Sequence, residues 1–351
     1  MTAMPIARRL ARWDVVVGLL VVLLFLFGDS FVASGGVRTS ATAFITLQNV
    51  SEIMLVALPM TMLIISGEID LSVGSMIGLS SCVIGKLYSH GLPMWVCALG
   101  GVATGLVGGA FNGWLVSKVG LQSLAVTIGT LGLYRGLCYV LLGDTSVAKF
   151  PKSWVQFGAF AKMWGWMPKV GFAMMIAIVV FVFILRWSKT GHQIYAIGLN
   201  NEAARYSGVK VAQTKFWLFV ATGTMSGVAG VFWTLRHAGA SPDSAQGWEL
   251  QIIASVLFGG VSIFGGVGGL FGTINGVLFL GLSRTVLRLT DVKPNVLTIV
   301  TGGLLLASVV GPAVLARLRT ARTTTHFSRP ATVAAHESRS AQSPLPDPER
   351  L

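Results

Sequence analysis

Long apolar runs, broken by short polar or glycine-rich stretches, fill the chain from residue 15 to residue 318. A helix needs about 17–25 mostly apolar residues to cross hydrocarbon. On that rule ten spans are predicted, near residues 15–33, 50–66, 71–88, 94–118, 121–143, 168–187, 215–236, 248–262, 267–288 and 293–316. Beyond Leu318 the apolar pattern gives way to a Thr/Ser/Pro/Arg-rich tail, 319–351, expected to be disordered and cytoplasmic. The predicted fold is all-α: a polytopic membrane protein with a short N-terminus (1–14), a transmembrane domain (15–318) and the tail.

Composition sharpens this reading. Hydrophobic residues make up 53% of the chain and charged residues 11%, against about 25% charged in a soluble domain. That excludes a soluble enzyme, a disordered chain and a nucleic-acid binder. The net charge, 26 − 13 = +13, falls largely in short loops and tails, where topology and anionic lipid headgroups account for it. Arg8, Arg9 and Arg12 precede the first span as in a signal peptide, but no small-x-small cleavage site follows, so the span is expected to be an uncleaved anchor. Those arginines, the run Arg317–Arg322 and the basic loop near 186–215, which holds the expected cytoplasmic loop 188–214, favour both termini inside, in the inner membrane. Cys82, Cys97 and Cys138 lie in apolar stretches and read as small core residues. No metal site is expected.

Glycine occurs 43 times. In lipid, helices pack by close approach, and small residues four apart permit it. Gly101, Gly105, Gly109 and Gly113 form one such run and Gly268, Gly272 and Gly276 another. They support either static packing or helices that slide. There is also an internal echo. V-T-I-G-T-L-G-L at 126–133 resembles L-T-I-V-T-G-G-L at 297–304, so that Thr127 and Thr130 match Thr298 and Thr301. One span earlier, Asn112 in F-N-G matches Asn275 in I-N-G. An offset of five spans reverses orientation, which predicts an inverted repeat of spans 2–5 and 7–10, a transporter signature. These six polar residues and Arg135, the one basic residue placed well inside a span, are candidates for a translocation pathway. Interhelical hydrogen bonding is the competing reading.

Two segments carry chemistry. Between Ile64 and Ser75 the apolar run is broken by Gly67, Glu68, Asp70 and Ser72. Carboxylates there either cap a broken helix or bind a cation or proton for coupling. The loop Thr190–Val209 contains Glu202, Ala203 and Ala204 in a short helix-forming stretch, with Gly208 to end it. Such a helix either docks into a partner's groove or lies on the membrane. The sequence holds no G-x-x-x-x-G-K-[ST] phosphate loop. His90, His192, His237, His326 and His336 all map to loops or the tail, with no Ser-His pair placed for hydrolysis. No catalytic residue is assigned.

At these residues the chain resembles the permease subunits of bacterial ATP-binding-cassette sugar importers, the ribose/xylose/rhamnose/autoinducer-2 branch. G-E-I-D-L-S-V-G-S (67–75), E-A-A-R-Y-S-G (202–208) and W-E-L-Q-I-I-A-S-V-L-F-G-G-V-S-I-F-G-G (248–266) carry the likeness, which runs from about residue 45 to 316. Phe258 and Leu199 depart from its usual pattern. The resemblance implies a permease, not an enzyme, that moves a sugar-like molecule, with a lean to rhamnose or autoinducer-2. It implies two permease subunits, two ATPase subunits that bind ATP and magnesium, and a periplasmic sugar-binding protein. Glu202, Ala203, Ala204 and Gly208 would then couple the permease to the ATPase. An ion-coupled secondary transporter using Glu68 and Asp70 is the alternative.

Overall fold

The structure is a computed structural model and describes residues 4–32, 36–160, 162–163 and 167–290, with 299, 302, 303 and 306. In chain order its helices are α1 (Met4–Phe27), α2 (Ser40–Ile65), α3 (Val73–Ser89), α4 (Met94–Trp114), α5 (Ser123–Leu142), the single turn α6 (Lys152–Val155), α7 (Lys169–Trp187), α8 (Lys189–Leu199), α9 (Asn201–Tyr206), α10 (Val211–His237), α11 (Trp248–Phe258) and α12 (Leu270–Leu289). Four two-residue strands pair antiparallel, β1 (Val147–Ala148) with β4 (Gly239–Ala240) and β2 (Lys162–Met163) with β3 (Met167–Pro168).

Among the described residues, seven helical stretches are long and apolar enough to cross a membrane: Trp13–Ser30, Ser40–Ile65, Met94–Val119, Ser123–Leu142, Lys169–Trp187, Val211–His237 and Leu270–Leu289. This is the multi-pass helical protein that the hydropathy pattern predicts. The third and eighth expected spans fall on shorter helices, α3 with 17 residues and α11 with 11. Of the tenth span only 299, 302, 303 and 306 are described; its Thr298 and Thr301, like the tail 319–351, lie outside the described residues.

Helix α2 is the axis of the core. It is buried along most of its length and packs against α7, α10, α11 and α12. Pro59 inside it removes one helical donor. Near that gap Thr61 donates its hydroxyl to Ala57 O at 2.7 Å and lies 2.8 Å from Thr273 Oγ1 of α12. In hydrocarbon, where water cannot serve polar groups, these two hydroxyls serve each other across the α2–α12 contact.

The two glycine runs are contact seams. A Cβ at Gly105 would stand 2.3 Å from Gly223 O, and one at Gly109 would stand 2.5 Å from Phe219 O. Glycine on both sides thus lets the α4 and α10 backbones touch. Gly276 of α12 meets Ser255 O of α11 in the same way, at 2.3 Å.

Alternating chain direction gathers the helix ends at two poles. One pole carries β1–β4, the Tyr139 hydroxyl donating to Asp243 Oδ1 at 2.6 Å, and Arg236 3.4 Å from the buried Glu52. The other carries the ends of α2, α4, α7 and α11, the starts of α3, α5, α10 and α12, and the α8–α9 segment. The sequence motifs converge there.

Candidate coupling site

The break between α2 and α3 is built by its own sequence. Gly67 takes φ +85°, its N–H donates to Ile64 O at 2.9 Å, and the Glu68 N–H donates to Leu63 O at 3.1 Å. These two bonds form a Schellman ending, which needs a left-handed residue after the last turn. The chain then turns back at Asp70, which is 0% exposed. Asp70 Oδ1 accepts from the Ser72 N–H at 2.8 Å and the Ser72 hydroxyl at 2.6 Å, while Oδ2 faces Asn112 Nδ2 at 3.5 Å. A carboxylate at the first turn of α3 meets freed N–H groups and the positive end of the helix dipole.

Asn112 of α4 completes the arrangement. Its amide donates to Ser72 Oγ at 2.8 Å, and its Oδ1 accepts from Tyr134 OH of α5 at 3.1 Å. Thr127 of α5 donates to Ser123 O at 2.9 Å and lies within 3.3 Å of Ile69 O. The break is thus held by side chains from α4 and α5, and each buried polar atom of Asp70 has a partner. Glu68 does something different. It reaches across to α10 and pairs with Lys215 near that helix's start, Nζ to Oε1 2.5 Å. Sequence reasoning left Glu68 between helix capping and cation or proton binding, and missed Lys215. The available signal was a lysine at the edge of an apolar span.

The α8–α9 segment forms the predicted short helix. Ser188 caps α8 by accepting from the Gly191 N–H at 3.2 Å, and Asn200 caps α9 by accepting from the Ala203 N–H at 2.9 Å. A second Schellman ending closes α9: Gly208 has φ +84°, its N–H donates to Arg205 O at 3.0 Å, and Val209 N–H donates to Ala204 O at 3.1 Å. Ala204 faces inward and is buried, while Glu202, Ala203 and Gly208 are exposed.

What fastens this segment to the bundle was not evident from sequence. Gly198 at the end of α8 lies on the last carbonyl of α2. A Cβ there would stand 1.8 Å from Ile65 O and 2.4 Å from Gly266 N. The Gly266 N–H itself donates to Ile65 O at 2.8 Å. Three chain segments therefore meet at one carbonyl: the end of α2, the end of α8 and the α11–α12 loop. Beside them Tyr195 of α8 donates its hydroxyl to Gly268 O at 2.8 Å. Burial, and then the nearby Asp14 carboxylate, push the Tyr195 pKa above the ordinary tyrosine value, so the hydroxyl keeps its proton.

The remaining candidate pathway residues are placed as follows. Asn112, Thr127 and Thr130 lie in the interior of this chain's own packing. Arg135 is part-buried and donates to Pro242 O at 2.5 Å and Ser244 O at 2.9 Å, so it holds the turn before α11. Asn275 donates to Asp14 O at 3.3 Å and ties α12 to α1. The matched asparagines of the sequence echo therefore make unlike bonds. Behind Thr127 and Thr130, α5 presents an open face in which Gly129, Gly132 and Gly136 have nothing near a Cβ position.

Residues 42–309 match the family described as branched-chain amino acid transport system / permease component. The chain is similar to the D-allose transport system permease protein AlsC of Escherichia coli K12, with 36% identity over 76% of this chain and 83% of that protein. It is similar to the autoinducer 2 import system permease protein LsrD of Yersinia enterocolitica, with 31% identity over 74% and 80%. It is also similar to the L-arabinose transport system permease protein AraH of Escherichia coli K12, with 30% identity over 82% and 88%.

Proposed function

We propose a role for this chain from one premise: it belongs to the branched-chain amino acid transport system / permease component family. It is a membrane permease subunit of an ATP-binding-cassette sugar importer. Its cargo is a monosaccharide or a sugar-like molecule of the allose, arabinose or autoinducer-2 kind, received from a periplasmic binding protein and released into the cytoplasm. ATP and magnesium are bound by a partner ATPase, and a second permease subunit completes the path. The protein sits in the inner membrane with both termini cytoplasmic, and the α8–α9 pole faces the cytoplasm. It has ten spans, counting α3, α11 and the segment 293–316, in two inverted halves.

The observation that carries the energetics is the meeting of α8, α2 and the α11–α12 loop at Ile65 O. Force on the exposed side of α9, at Glu202, Ala203 and Gly208, enters a short rigid helix whose inner face is fixed by Ala204. From there it passes through Gly198 to the end of α2 and the Gly67–Ser72 break. Sugar passes along the open face of α5, with Arg135 at the turn before α11. Asn112, Thr127 and Thr130 support that face from behind, while Asn275, Thr298 and Thr301 are the matching pathway candidates of the second half. The ion-coupled reading has less support, because Asp70 is fully hydrogen-bonded and Glu68 is held by Lys215.

Reconstitution into sealed vesicles tests this. Uptake of labelled allose, arabinose or autoinducer-2 is expected only with the ATPase, its nucleotide and the binding protein present. Uptake by this chain alone under an ion gradient would reverse the assignment.

A further inference from the structure

The loop between α11 and α12 is a folded turn. Ser262 N–H donates to Val267 O at 2.9 Å, Gly265 N–H donates to Ser262 O at 3.1 Å, and Phe264 N–H donates to Ser262 Oγ at 3.2 Å. Gly265 and Gly266 both have positive φ, +80° and +72°, which the reversal requires. At the tip stands Phe264, 92% exposed. A phenylalanine left bare on a turn fixed by its own hydrogen bonds marks a contact surface. Lipid is a poor occupant, because an irregular loop is not found against hydrocarbon.

The surroundings extend the surface. Leu199, at the end of α8, lies against Gly266, with its Cδ2 2.8 Å from where a Cβ at that glycine would stand. Leu199 is 71% exposed, and Tyr206, at the end of α9, is 90% exposed. Glu202, Arg205 and Lys210 are exposed around them. Aromatic and aliphatic anchors among charged residues are the usual make-up of a protein-docking patch.

We infer that Phe264 is a second docking knuckle for the partner ATPase, continuous through Leu199 with the α9 surface, and that it seats in an apolar cleft of that subunit. This rests on the coupling reading of α9 and deepens it. The Gly266 N–H holds the turn to Ile65 O, so a displacement of Phe264 reaches the end of α2 directly. The ATPase then grips the permease at two points that share one carbonyl.

The test places a photoreactive phenylalanine at position 264, and separately at 206, in the complete transporter in native membranes. Cross-linking of position 264 to the ATPase, in an amount that changes with nucleotide, is the expected result. Cross-linking from 206 but not from 264 leaves the α9 reading standing and overturns the knuckle. Adducts from 264 to lipid alone overturn it as well. Cross-linking to the ATPase from neither position removes the coupling reading and this inference together. As a second measure, Phe264→Ser is expected to weaken ATPase binding by about tenfold or more at normal inserted yield, whereas Phe264→Leu retains most of it. Equal binding by wild type and Phe264→Ser would overturn the proposal.

Discussion

Lys215 Nζ and Glu68 Oε1 are 2.5 Å apart, and both side chains are largely buried. The pair joins the start of α10 to the break after α2, so two segments far apart in sequence are fixed by one charge contact. Removing either charge leaves the other poorly solvated. Glu68→Gln or Lys215→Gln is expected to cost about 2–4 kcal/mol, while the double variant recovers part of the loss. Thermal unfolding in detergent, run as a double-mutant cycle, reads this. Additive losses would show that the pair does not interact.

Asp70 and Asn112 give a second expectation. Asn112→Leu removes the amide that serves Ser72 Oγ and faces Asp70 Oδ2, at a cost of about 1–3 kcal/mol for groups left unsatisfied. Folded yield is expected to fall, and the surviving protein still imports sugar. A thiol placed at 112 is expected to stay unlabelled by polar maleimides in every nucleotide state. Labelling would put Asn112 on the pathway itself.

Glycine substitutions separate seams from open faces. Gly105→Ala drives a methyl group to 2.3 Å from Gly223 O, so α4 and α10 must part, at a cost of about 1–3 kcal/mol. Gly129→Ala meets nothing within 4 Å and is expected to be neutral for stability. Comparable melting temperatures for the two variants would contradict the seam.

Gly208 is constrained by backbone and not by space. Its Cβ position is open, but φ is +84°, and a β-branched residue there costs about 1–2 kcal/mol. Gly208→Val is therefore expected to insert and fold while α9 loses its ending, so that ATP-driven uptake drops. Gly208→Asn is expected to keep most of the activity. Normal uptake and ATPase copurification by Gly208→Val would remove the coupling role from this turn.

Local features of this chain were readable because local sequence causes them. Apolar runs longer than a bilayer crossing made α2, α4, α5, α7, α10 and α12 predictable. Gly67 and Gly208 ended their helices because a left-handed residue is needed there and glycine supplies it. The eighth expected span, 248–262, falls on the 11-residue α11, which ends at Gly259 and Gly260 in a turn that hydropathy alone averages away. Which partner a polar side chain finds was not readable. Nothing near Glu68 in sequence indicates Lys215, and nothing near Asn112 indicates Ser72.

The sequence by itself determined the membrane class, the helical fold, the positions of both helix breaks and the likeness to sugar-importer permeases. Each follows from hydropathy, glycine conformation or a contiguous motif, properties that a short stretch of chain carries alone. Tertiary structure alone decided that Asp70 and Glu68, two residues apart, enter different bonds. It also brought Gly198 and Gly266 to the same carbonyl of Ile65 and left Phe264 bare beside them. Those outcomes depend on contacts between segments tens to hundreds of residues apart, and only the packed bundle sets them.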